Sequence, residues 1–132
     1  MDFIAGKNAV QSDLVGSVYR LTTWRGHRKI GDRLGLVVDL SVVIIAENEA
    51  ENIADALESV HWVDDVVVVD SGSSDRTIEI AKRYTERVTT RLWEGYGSQK
   101  NYATGLANYD WVLSIDADER VSKELAEEIQ AL

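Results

Sequence analysis

Asp116 and Asp118 stand one residue apart at the end of the hydrophobic run WVLSI, within the cluster Asp116-Ala117-Asp118-Glu119. If the backbone stays extended there, both carboxylates point to the same side, because strand side chains alternate with a period of two. Two adjacent carboxylates repel each other unless a cation joins them. A hard divalent ion such as Mg²⁺ or Mn²⁺ takes oxygen ligands, commonly one or two carboxylates completed by substrate phosphates, and Asp116 with Asp118 offers that set. The chemistry expected of the pair is therefore metal-assisted binding of a phosphorylated ligand. Taken alone, such a cluster is more often an ordinary turn or helix cap.

Two further polar clusters follow hydrophobic runs. Ala46-Glu47-Asn48-Glu49 comes after LSVVIIA, and Asp70-Ser71-Gly72-Ser73-Ser74-Asp75 comes after DDVVVV. Asp70 emerges beside buried strands, where its carboxylate can accept hydrogen bonds from a planar ring such as the imide of uracil, and Gly72 allows close backbone approach. Neither G-x-x-x-x-G-K-[ST] nor G-x-G-x-x-G occurs, so a P-loop and a dinucleotide fingerprint are both excluded. His27 and His61 lie away from these runs and read as surface or packing residues. Convergence of three polar clusters on one edge is what lifts each above a turn.

The elements that must position them are legible from periodicity. LSVVIIA is continuously apolar and β-branched, as in a strand buried on both faces. In EAENIADALESV, Ile53, Leu57 and Val60 recur on one helical face. The cycle repeats with DDVVVVD as a strand and SSDRTIEIAKRY as a helix, with Ser74 expected as its cap and Ile78, Ala81 and Tyr84 or Thr85 facing inward. A shorter strand at Arg87 to Leu92, a helix from Ser98 to Ala107 and the strand at 111–115 continue the alternation. SKELAEEIQAL closes it as an amphipathic helix capped by Ser122, with Leu125, Ile129 and Leu132 inward. Strands alternating with helices imply an α/β fold with right-handed crossovers and a mostly parallel sheet flanked by helices. In such sheets ligands bind beyond the carboxyl ends of the strands.

A chain of 132 residues has room for one domain, and its 45% hydrophobic and 28% charged content is ordinary for a globular protein. With no cysteine there is no disulfide framework and no thiolate metal site. The net charge of -9 disfavours nucleic acid as a partner. Charge also divides the chain: residues 1–40 carry a small positive excess and the remainder is strongly acidic. Residues 1–39 read as a poorly structured N-terminal extension with room for one short helix or strand, and residues 40–132 as the functional region. No apolar run approaches the ~20 residues of a membrane span and no signal peptide is recognisable, so a cytoplasmic protein without a transmembrane segment is expected.

Four motifs in order, LSVVIIAENEAENIADALESV, VVVVDSGSSDRT, YGSQKNYA and DWVLSIDADERVS, resemble glycosyltransferase family 2 and its Rossmann-like GT-A fold. Residues 40–132 look like the family's N-terminal nucleotide-sugar-binding half, incomplete in this chain. Within the family the likeness is greatest to bacterial enzymes that add glucose to the lipopolysaccharide inner core. The resemblance implies that Ala46, Asn48 and Glu49 line the nucleoside pocket, that Asp70 binds uracil, and that Ser73 lies near the base or ribose. It places Lys100 and Asn101 where the family closes over the nucleotide, although a solvated helix charge is an equal reading of Lys100. Asp116 would hold the ribose or a metal-bound water, Ala117 would lie against the donor, and Asp118 would hold the Mg²⁺ or Mn²⁺.

The reaction so implied is displacement at an anomeric carbon with inversion, in which a carboxylate base deprotonates the acceptor hydroxyl while a metal neutralises the departing diphosphate. The family's base comes from a later segment, so no catalytic residue is assigned. Glu119 fits support of the metal loop better than proton abstraction. The expected partners are a nucleotide-diphosphate sugar, a UDP-sugar in the first place, and a glycan or glycolipid acceptor, with peripheral association at the inner face of the membrane. A fragment or pseudoenzyme that binds nucleotide sugar without transferring it is the alternative. A haloacid-dehalogenase-type phosphatase also places D-x-D after a strand, but Arg120 stands where threonine or valine is expected and D-S-G-S would have no role.

Overall fold

The run LSVVIIA forms the strand β3 (Leu40–Ala46), buried along its whole length. The computed structural model describes residues 9–11, 18–21 and 40–131. Its strands are β1 (Ala9–Gln11), β2 (Val18–Leu21), β3, β4 (Asp65–Asp70), β5 (Val88–Thr90) and β6 (Trp111–Asp116), and its helices α1 (Ile53–Glu58), α2 (Thr77–Ala81), α3 (Tyr96–Gly105) and α4 (Lys123–Gln130). The strands form one sheet in the order β1-β2-β6-β3-β4-β5. From β6 to β5 every pairing is parallel, while β2 joins β6 antiparallel and β1 joins β2 antiparallel. The α/β expectation thus holds, with a parallel centre of four strands. Both short strands of the N-terminal segment add to the β6 side of this centre.

Period-two alternation along β3 divides the core. Leu40, Val42, Ile44 and Ala46 face one way and pack with Ile53 and Leu57 of α1, Ala81 of α2 and Ile129 of α4. Val43 and Ile45 face the other way and pack with Val67, Val69, Val112 and Ala103 of α3. The sheet is therefore sandwiched, with α1, α2 and α4 on one face and α3 on the other. Each fully buried aliphatic side chain stabilises this arrangement by roughly 1.5–3 kcal/mol. Cutting Ile44, 0% exposed at the centre of the larger cluster, back to alanine would cost about 2–5 kcal/mol.

The helices depart from expectation in instructive places. Ser122 caps α4, accepting from Leu125 N at 3.0 Å, with Ile129 buried and Leu125 partly so; Leu132 lies outside the described residues. α1 buries Ile53 and Leu57, and Val60 beyond its end is equally buried. In α2, by contrast, Ser74 does not cap. The N-cap position is Arg76, which makes no side-chain cap bond; Asp75 just before it accepts from Thr77 N at 2.9 Å through Oδ1, and Ser74 is committed to the preceding loop. The inward residues of α2 are Thr77, Ile80 and Ala81, while Tyr84 is 43% exposed and Thr85 donates its hydroxyl to Val66 O. Ile78, expected inward, is only partly buried. α3 starts at Tyr96, before the expected Ser98, entered through Gly95 at φ 110°, a conformation that suits glycine. Among the described residues no helix is long and apolar enough to cross a membrane.

Candidate functional site

Parallel pairing brings three strand ends level: Ala46 stands opposite Asp70, and Ile45 opposite Asp116. A cleft of about 200 Å³ opens there. Ala46, Glu47 and Glu49 after β3 and Ser71 after β4 form one wall, Trp93, Tyr96 and Gln99 at the start of α3 form another, and Asp116, Ala117 and Asp118 close the base.

At the end of β6 the backbone turns. Glu119 N donates to Asp116 O at 2.9 Å and the Glu119 carboxylate accepts from Asp116 N at 2.7 Å, a reciprocal clasp that ends the strand. The extended geometry assumed for the acidic pair is thus corrected. Ala117 is buried, Asp116 is partly exposed and Asp118 is exposed. Alternation along β6 aims Asp116, its last residue, at the cleft, and the turn that follows delivers Asp118. Glu119 takes the bracing role expected of it.

Asp116 is already engaged on the α3 side. Its Oδ1 accepts from the Tyr96 hydroxyl at 2.6 Å and lies 3.3 Å from Lys100 Nζ. Lys100 is 1% exposed; its ammonium also donates to Ser114 Oγ at 3.1 Å and sits 4.8 Å from the centre of the Tyr96 ring. The solvated reading of Lys100 is overturned. A buried ammonium persists only when paired, and here an anion, a hydroxyl and an aromatic face share the task. Asn101 is partly buried, and its Oδ1 has no hydrogen-bond partner among the described residues.

The loops after β3 and β4 are zipped together. Asn48, at φ 51° in the left-handed region that asparagine tolerates, accepts from Ser74 N at 2.8 Å through its side-chain oxygen and donates its backbone N–H to Ser73 Oγ at 2.8 Å. Asp70, 0% exposed, accepts from Gly72 N at 2.8 Å, Ser73 N at 2.6 Å and Ser73 Oγ at 2.6 Å. Its carboxylate thus shapes its own loop. The hydrogen bond from the Thr77 hydroxyl holds Asp75 below the ordinary carboxylate value of 3.8, opposed by partial desolvation.

Of the residues singled out in the sequence, Ala46, Glu49, Asp116, Ala117 and Asp118 border the cleft, while Asn48, Asp70, Ser73, Lys100 and Asn101 do not. Alternation explains part of this. Val68 packs with the α1/α2 side, so Asp70 two residues on leaves β4 toward that face, whereas Asp116 leaves β6 toward α3. Sequence reasoning missed Trp93, Tyr96 and Gln99. Their signal was local to W-E-G-Y-G-S-Q, an aromatic pair around a glycine at a helix start, but their place at the cleft depends on how α3 crosses the sheet. His61 is exposed, with Nδ1 2.8 Å from Glu58 O, and plays no part; His27 lies outside the described residues.

A divalent cation is tested by the donors present. Among the described residues no group of three or more His, Cys, Asp or Glu gathers into a cage. Asp118, exposed at the cleft beside Asp116, instead fits an ion that keeps water and takes its remaining oxygens from a bound phosphate.

Comparison with known proteins agrees with this architecture. Residues 41–132 match the family model described as glycosyl transferase family 2. An uncharacterized glycosyltransferase of Rickettsia felis is 49% identical over 92 residues, covering 69% of this chain and 32% of that protein. The lipopolysaccharide core biosynthesis glycosyltransferase LpsC of Rhizobium meliloti is 37% identical over 93 residues, covering 67% of this chain and 34% of that protein. Among solved structures, glucosyl-3-phosphoglycerate synthase from Mycobacterium tuberculosis, in complex with Mg²⁺ and uridine-diphosphate, superposes with a TM-score of 0.54 at 27% identity, over 61% of this chain and 34% of that one. The chain spans about a third of the length of these curated relatives.

Proposed function

Since the chain belongs to glycosyl transferase family 2, we propose that its cleft binds a nucleotide-diphosphate sugar, a UDP-sugar, with Mg²⁺ or Mn²⁺, for transfer of the sugar to a glycan or lipopolysaccharide-core acceptor. The observation that carries this reading is the meeting of three strand-end loops at one cleft floored by Asp116 and Asp118. The name of the LpsC relative supports the acceptor class, and the UDP and Mg²⁺ of the mycobacterial structure support the donor and the ion.

In this reading Ala46, Glu49 and Ser71 border the nucleoside, and Trp93 and Tyr96 offer aromatic faces to the donor. Asn48, Ser73 and Asp70 act by holding the wall rigid; direct contact between Asp70 and uracil would require Ser73 to release the carboxylate. Lys100 and Asn101 contribute from α3 behind the cleft. Asp116 and Asp118 present carboxylate oxygens at the base. When bound, the metal supplies charge neutralisation of the diphosphate. At about 200 Å³ the cleft lies below the roughly 300–1,000 Å³ usual for a complete small-molecule site, so it suits part of the donor.

A second reading, binding without transfer, is favoured by Glu119. The acidic side chain that follows the aspartate pair in sequence is committed to Asp116 N and is not free to take a proton from an acceptor. Calorimetric titration of the chain with UDP-glucose, with and without Mn²⁺, beside a turnover assay, separates the two. Metal-dependent binding is expected in both, turnover only in the first, and no binding at all sinks both.

A further inference from the structure

Asp116 meets two donors on a single oxygen. Tyr96 OH lies 2.6 Å and Lys100 Nζ 3.3 Å from its Oδ1, and Lys100 is held from below by Ser114 Oγ at 3.1 Å. Ser114 and Asp116 leave β6 on the same face, two residues apart, so the lysine lies along the strand as a strut beneath the carboxylate. Asp118, in the turn two residues on, is exposed, and Lys100 is the one buried cation among the described residues. Two chemically identical side chains thus have opposite electrostatic settings. One is compensated from inside the protein and the other is left to find its cation outside.

We infer that Lys100 is a positioning residue, an internal counter-ion that satisfies Asp116 and keeps it from closing on the divalent cation that Asp118 is already read to hold. This rests on the metal-binding reading proposed above. A ligand oxygen that already accepts a hydroxyl and an ammonium offers a cation little, because approach would bring two positive charges together in a partly buried site. Tyr96 ties the arrangement to the donor cleft: its hydroxyl orients Asp116 while its ring covers the ammonium, so the wall that meets the donor also sets the aspartate. The other oxygen of Asp116 is left for a neutral hydroxyl or a water.

The test is the Mn²⁺ affinity of the UDP-bound chain, read by electron paramagnetic resonance of Mn²⁺ against a UDP-only control, with circular dichroism as the check on folding. Asp118→Asn should weaken Mn²⁺ binding by about tenfold or more, whereas Asp116→Asn should change it by less than about threefold while Lys100 is present. Lys100→Met, which removes the competing charge, should tighten Mn²⁺ binding by about tenfold, and Asp116→Asn in that background should abolish the gain. A lysine that served packing alone would instead give weaker or unchanged binding on replacement. If Lys100→Met does not fold, Tyr96→Phe removes one donor to the same oxygen and should shift affinity in the same direction, by less. Equal losses for Asp116→Asn and Asp118→Asn, or no gain from Lys100→Met, overturn the inference and leave the metal reading standing. Absence of saturable Mn²⁺ binding by the unaltered chain beyond the UDP-only control overturns both.

Discussion

The side-chain oxygen of Asn48 accepts the backbone N–H of Ser74 at 2.8 Å, and this bond joins the loop after β3 to the loop after β4. Asn48 makes it from a left-handed backbone, φ 51°, so two properties of asparagine are used at once. The substitutions Asn48→Ala and Asn48→Gly separate them. Glycine keeps the conformation and loses the bond, costing about 0.5–1.5 kcal/mol, while alanine also takes on roughly 1–2 kcal/mol of left-handed strain. Thermal unfolding should therefore rank wild type above glycine above alanine. Equal melting temperatures for the two variants would mean that the backbone strain is relieved elsewhere.

Asp70 provides a sharper separation. Replacement by asparagine keeps the shape but exchanges a charged acceptor of three hydrogen bonds for an amide whose NH₂ must face one of the same donors. Stability should fall by about 1.5–3 kcal/mol. Donor affinity should fall with it, since the loop carries Ser71 to the cleft. Weakened UDP binding with an unchanged melting temperature would instead make Asp70 a direct reader of the base.

Asp75 should give the same region a pH signature. The Thr77 hydroxyl bond lowers its pKa below 3.8, so the folded state binds this proton less readily than the unfolded state. The stability it contributes is present above the unfolded value and is lost as pH falls through the lower folded value. The melting-temperature gap between the wild type and Asp75→Asn should accordingly be widest above pH 3.8 and close on further acidification. A gap independent of pH would assign the effect to packing.

Trp93 is 50% exposed, with its ring centre 6.3 Å from that of Tyr96 at the cleft wall. An indole half in water at a ligand site should report occupancy. UDP-glucose should change the intrinsic fluorescence, and Trp93→Phe should remove most of that change while altering affinity by less than about threefold, because a ring remains. Trp93→Ala should weaken binding by about three- to tenfold. A full fluorescence response from Trp93→Phe would place the ligand elsewhere.

Much of this protein was readable without coordinates. The buried runs LSVVIIA and DVVVVD, the spacing of Ile53, Leu57 and Val60, and the Ser122 cap each follow from the preferences of a few neighbouring residues. Local preference is what sequence pattern records. From these came the α/β class, the parallel centre and the three polar strand ends, and the four ordered motifs carried the family. Boundaries were less secure: α3 begins at Tyr96, and Ser74 does not cap α2, because it is taken by Asn48 from 26 residues away while Asp75 accepts the Thr77 N–H.

What only the tertiary structure decided is which side of each aspartate meets which neighbour. Asp70 and Asp116 both end buried strands, yet they leave opposite faces of the sheet, so one is enclosed by its loop and the other opens on the cleft. Lys100 has the sequence context of a surface helix charge. It is buried because α3 packs over the sheet, bringing Ser114 and Asp116 within reach of an ammonium that Tyr96 already flanks one turn earlier on the same helix. Such contacts join residues 14 and 16 positions apart through the crossing of a helix over a sheet, and no periodicity within either segment encodes that crossing. Sequence therefore located the acidic pair, and the packing of α3 made its two members unlike.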